Sequence, residues 1–128
     1  MKKILMSLAA AAALTLTGAP AAFAHHSANA QFDTSKEMRL TGVLTEMKDI
    51  NPHSRWLAVI KNANGQPENW EFESVSPSAL RRAGLKVKEE IVPGATLTFI
   101  YAPSWDGSRT GLITSMVVNG KTYVYAKV

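Results

Sequence analysis

Beyond residue 36 the chain is a succession of short stretches in which apolar and polar side chains alternate. That period of two sends successive side chains to opposite faces of a β-strand. Arg55 to Lys61 places Trp56, Ala58 and Ile60 on one face and Leu57 and Val59 on the other. Asn69 to Val75 puts Trp70 and Phe72 together, with Glu71 and Glu73 opposite. Thr96 to Tyr101, Leu112 to Val118 and Thr122 to Lys127 give three further strands. The first strand is longer, Glu37 to Ile50, with Met38, Leu40, Val43, Leu44 and Met47 around Gly42. A missing side chain permits a bend or bulge, and one is expected at Gly42. Trp56, Trp70, Phe72, Leu97, Phe99 and Val117 are the expected core.

The punctuation fits this division. Asn51-Pro52-His53, Asn62-Ala63-Asn64-Gly65, Val92-Pro93-Gly94 and Asn119-Gly120 are turn signals. Ser76 to Gly84 reads as a short helix: Ser76 caps it, Pro77 takes the first position and Gly84 closes it. Arg81 and Arg82 fall in its last turn as solvated charges favoured by the helix dipole. The fold class is therefore all-β with one short helix. The order β-β-β-α-β-β plus a C-terminal hairpin strand predicts a small OB-like Greek-key barrel. Another small closed or half-open barrel with a helical insert is the alternative. An OB barrel holds ligands across its second and third strands, between the loops joining strands one to two and four to five. Here those loops are residues 49–54 and 103–110, which carry Asn51, Trp105 and Arg109 as candidate ligand contacts.

The front of the chain follows a different pattern. Met1-Lys2-Lys3 is a basic start, Ile4 to Thr17 is apolar, Gly18-Ala19-Pro20 breaks it, and Ala22-Phe23-Ala24 offers small residues where a signal peptidase cuts. The apolar run is shorter than the roughly 20 residues a spanning helix needs. Residues 1–24 are thus expected to be a cleaved signal peptide of the Sec type, residues 25–36 an N-terminal arm and residues 37–128 the barrel domain. Ala28-Asn29-Ala30 is a second possible cleavage site. A periplasmic location follows, with no membrane insertion after cleavage. In the arm Phe32 is the only large apolar residue and the expected anchor.

Composition narrows the chemistry. With no cysteine, disulfides, thiolate nucleophiles and thiolate metal sites are excluded. The net charge of +4 includes Lys2 and Lys3, and acidic residues are interleaved with the remaining basic ones. That balance argues against nucleic acid as a partner. No nucleophile elbow or glycine-rich phosphate loop is present. The chain is expected to be a binding protein and not an enzyme.

Several ordered pieces carry a resemblance: His25-His26-Ser27 after the signal, Phe32-Asp33, Leu40-Thr41-Gly42, Asn51-Pro52-His53, Trp70 between Asn69 and Glu71, Ser76-Pro77 with Ala79-Leu80, and Pro93-Gly94. Together they resemble a family of short exported bacterial proteins known as a domain of unknown function. Ala95 stands where that family usually has aspartate, and Ser54 where it commonly has a hydrophobic or aromatic residue. The resemblance implies a single exported domain and no particular activity.

The histidines are the sharpest chemical clue. The mature chain has His25, His26 and His53. After cleavage at Ala24 the α-amine and imidazole of His25 would form a chelate, with pKa values of about 7.7–8.0 and about 6.5. Imidazole from His26 or His53 would complete a nitrogen-rich set suited to copper, in a geometry resembling the histidine brace. Met38 and Met47 could offer thioethers to Cu(I), though core filling is the ordinary role of methionine. Glu71 and Glu73 share a strand face about 6–7 Å apart and read as solvated. The non-metal alternative is an accessory module that binds an envelope protein or small ligand through the 49–54 and 103–110 loops.

Overall fold

The computed structural model describes residues 28–50 and 52–125. The expected signal peptide, His25, His26 and Asn51 lie outside the described residues. Six strands form the domain: β1 (Met38–Lys48), β2 (Ser54–Lys61), β3 (Pro67–Ser74), β4 (Thr96–Pro103), β5 (Thr110–Val118) and β6 (Lys121–Val124). Two short helices, α1 (Pro77–Arg82) and α2 (Val87–Glu90), join β3 to β4.

The strand order is β3-β2-β1-β4-β5-β6, and β3 also pairs with β5. That last pairing, parallel through Glu71–Thr110, Phe72–Gly111 and Glu73–Leu112, closes the first five strands into a barrel. The OB-like barrel is thus present. β1 belongs to both sides: Met38 to Val43 pair with β4, and Val43 to Lys48 pair with β2. One long strand changing partners half-way lets the five strands close without a free seam.

Closure needs sharp coiling, and two bulges supply it. In β1 the register slips between Leu44 and Glu46, and the Thr45 hydroxyl donates to the Leu57 carbonyl at 3.0 Å. In β5 the slip falls opposite Ile100 and Tyr101, and the Thr114 hydroxyl donates to the Ile100 carbonyl at 3.3 Å. Gly42, expected to carry the bulge, has another task. A Cβ there would collide with the Val59 carbonyl oxygen and the Ile60 side chain, so glycine permits β1 and β2 to approach.

The core comprises Leu44, Trp56, Ala58, Ile60, Phe72, Leu97, Phe99, Tyr101, Ile113, Met116 and Val118, joined by Leu80, Leu85, Val87 and Ile91 from the helical segment. Phe72 stacks on Phe99 with centroids 4.6 Å apart, and the Tyr101 ring meets Phe72 edge-on at 5.2 Å. Of the six expected core residues, Trp56, Phe72, Leu97 and Phe99 are buried. Trp70 is half-buried, stacked on Phe72 at 5.6 Å. Val117 is also only half-buried, because the bulge at Thr114 reverses the faces beyond it and turns Met116 and Val118 inward. Trp56 is completely enclosed, and its indole N–H donates to the Ser54 hydroxyl, which donates in turn to the Val75 carbonyl. Ser54 therefore gives a buried indole its hydrogen bond.

Helix α1 matches expectation: the Ser76 hydroxyl accepts from the Ala79 amide, and Pro77 leads the first turn. Helix α2 is an addition. It is one turn without a side-chain cap at Lys86, held because Val87 is buried and Glu90 reaches back to the Lys86 amide at 3.0 Å. So short a turn has little propensity of its own; packing sustains it.

Candidate functional site: the arm-covered barrel face

Loops 49–54 and 103–110 meet at the second half of β3. Ser54 pairs with Ser74, which sets the first loop there. Thr110 pairs with Glu71, which sets the second. The N-terminal arm lies between them. Phe32 is buried and bridges to Ser104, the Asp33 amide donates to the Pro103 carbonyl at 2.8 Å, and the Trp105 amide donates to the Gln31 carbonyl at 3.1 Å. The anchoring role expected of Phe32 is what the structure shows. Burial of a Phe side chain contributes about 2–3 kcal/mol, enough to hold a segment of so few residues.

Asp33 begins the turn out of the arm. Its carboxylate accepts from the Ser35 hydroxyl at 2.6 Å and pairs with Lys36 at 3.1 Å. The Ser35 bond, and then Lys36, hold its pKa below the ordinary carboxylate value. Asp106 does the same for loop 103–110. It accepts from the Ser104 hydroxyl at 2.7 Å and the Ser108 amide at 2.8 Å. Ser108, through hydroxyl and amide, and then Ser104 lower its pKa to about 2.

Among the described residues three clefts flank the arm, and Gln31 lines all of them. The widest, about 410 Å³, lies between Gln31, Trp105 and Asp106. Trp105 is 61% exposed, but its indole N–H is spent on the Asn29 carbonyl at 2.8 Å. A cleft of about 260 Å³ runs past Phe32, Arg55, Glu71, Glu73 and Thr110. The smallest, about 80 Å³, is lined by Ala28, Gln31, Phe32, His53, Glu73 and Leu112.

Charges on this face are paired. Arg55 binds Glu71 directly and lies 3.7 Å from Glu73. Arg109, a candidate ligand contact, pairs with Glu68 at 3.0 Å. Asn62 and then Arg109 depress the Glu68 pKa. His53 Nδ1 stands 3.6 Å from Glu73 Oε2. Among the described residues no three histidines or acids converge as metal ligands. Met38 is 47% exposed on β1, and Met47 packs against the core.

Sequence reading picked His53, Trp105 and Arg109 and left Glu73 aside as solvated. The strand register and the arm bring Glu73 beside His53, and no local motif announces that contact. The usable signal is position: Glu73 lies one residue from Ser74, the partner of Ser54, and Ser54 adjoins His53.

A family model described as a family of unknown function, DUF6152, matches residues 13–115. The chain belongs to that family. None of the curated proteins matches it. Among solved structures the chain is similar to Rim1, a mitochondrial single-stranded DNA binding protein of S. cerevisiae. The two share 12% identity over 73% of this chain and 98% of that one, with a TM-score of 0.42. The family match agrees with the resemblance carried by the Asn-Pro-His and Ser-Pro motifs. The barrel assignment rests on this family member's own strand order and closure. Among the described residues no helix is long and apolar enough to cross a membrane.

Proposed function

We propose that this protein is an exported, periplasmic binding protein, not an enzyme, that holds one copper ion between its mature N-terminus and the barrel. The observation that carries the reading is the path of the arm. Ala28 lines the same small cleft as His53. His25 and His26 lie three and two residues earlier in the chain. Three extended residues span about 10 Å, so a chain starting at His25 has the reach to bring its α-amine and imidazoles to His53. Those donors are neutral nitrogens when deprotonated, the set for which Cu(II) outcompetes Zn(II) and Ni(II). OB barrels commonly bind ligands on this face; fold alone does not choose the ligand.

The test is the composition of the protein as the cell makes it. Isolated from the periplasmic fraction and weighed intact, it should begin at His25 and retain one copper per chain after loading and desalting. A start at Ser27 or beyond removes the amine chelate and both leading imidazoles, and sinks the reading. Correctly processed protein that retains no copper would sink it too.

The exposure of Trp105 favours a second reading, in which loop 103–110 meets an envelope protein or small ligand with no metal involved. Trp105→Ala would then abolish binding to that ligand and leave copper content unchanged.

A further inference from the structure

The two carboxylate oxygens of Glu73 have different neighbours. Oε1 faces the Arg55 guanidinium at 3.7 Å, and Oε2 faces His53 Nδ1 at 3.6 Å. The second separation is too long for a hydrogen bond. Two donors on one ion, with bonds of about 2.0–2.1 Å and angles between square and tetrahedral, stand about 2.9–3.4 Å apart. The His53–Glu73 pair is within a few tenths of an ångström of that spacing. His53 is 44% exposed, so its ring has room to close the difference. Ala28, Phe32 and Leu112 help line the cleft around the pair, and its volume of about 80 Å³ suits an ion with a water better than an organic ligand.

The charges agree with this geometry. Arg55 and Glu71 are bound to each other. The Arg55 guanidinium faces both Glu71 and Glu73, so the three groups together keep one net negative charge beside His53. A site built from an amine and imidazoles alone would leave both positive charges of Cu(II) uncompensated. One carboxylate offsets half of them.

We infer that Glu73 is the anionic ligand of the copper site, binding the metal through Oε2 together with His53. The inference rests on the N-terminal copper reading and adds a residue that the nitrogen set does not require. Arg55 faces the carboxylate on its Oε1 side at 3.7 Å, and Oε2 faces His53.

Copper(II) titration of the mature protein by calorimetry, with Glu73→Gln and Glu89→Gln variants, tests this; Glu89 is exposed on α2, away from the cleft. Glu73→Gln should lower the affinity at least tenfold, and Glu89→Gln should leave it unchanged. Infrared difference spectra of the unaltered protein, with copper minus without, should show a carboxylate stretch shifting on metal binding. That band should persist in Glu89→Gln and vanish in Glu73→Gln. The infrared readout on the unaltered chain stands even if Glu73→Gln folds poorly. Copper binding with no carboxylate band and an unchanged Glu73→Gln affinity would overturn the role of Glu73 and leave the nitrogen site intact. No copper binding by the unaltered protein would overturn both.

Discussion

Asp106 ties Ser104 to Ser108 through two bonds accepted on Oδ1, and ionisation of the carboxylate strengthens both. Its pKa in the folded chain is about 2, below the ordinary 3.8. A carboxyl group with a depressed folded pKa stabilises the fold above the ordinary value, and that contribution is lost as pH falls from about 4 to about 2. The indole N–H resonance of Trp105, bonded to Asn29, should therefore hold its position down to about pH 4 and move as pH nears 2. In Asp106→Ala, which removes the acceptor, the displaced resonance should already be present at neutral pH. A resonance that moves between pH 5 and 7 would contradict this assignment of the loop. In the core, Phe99 is enclosed and stacks on Phe72. Phe99→Ala should destabilise the domain by about 3–5 kcal/mol in denaturant unfolding. A loss under 1 kcal/mol would mean the barrel centre is not packed as described.

Among the elements, strands with plain alternation were readable: Trp56, Ala58 and Ile60 face inward as their spacing requires. Strands with a bulge were not fully readable. Thr45 and Thr114 are unremarkable as letters, yet each marks a register slip, and beyond a slip the buried parity reverses. That is why Val118 and not Val117 is enclosed. Helix α2 escaped because a single turn without a cap leaves no local signal. The arm was legible in its anchor, Phe32, though not in its destination, which depends on long-range pairing with Ser104. Phe32→Ala should free the arm. Hydrogen exchange should then lose protection at the Asp33 and Trp105 amides while the β4 amides paired with β1 stay protected. Protection lost equally throughout would show that the arm is part of the cooperative core and not a docked strap.

At the scale of the whole molecule, the barrel was legible because strand order and turn chemistry agree, and a long bent first strand can serve both sides of a small barrel. The histidines were legible as chemistry. The passage of the arm beside His53 was not, because His53 is set by β2–β3 register and the arm's course by β4, and no local spacing encodes the two together. The candidate site is therefore a product of tertiary structure: a barrel face, two loops and a returning arm. The central claim is that the first residue of the mature chain supplies the metal chelate, and one comparison tests it most directly. Copper(II) affinity is measured for the protein beginning at His25 and for the same protein with a single glycine added before His25. Every side chain is retained, and only the α-amine is displaced. The account predicts one Cu(II) per chain, bound more tightly than Zn(II), with affinity falling as protons compete at lower pH and reduced at least tenfold by the added glycine. Equal affinity for the two proteins would contradict it.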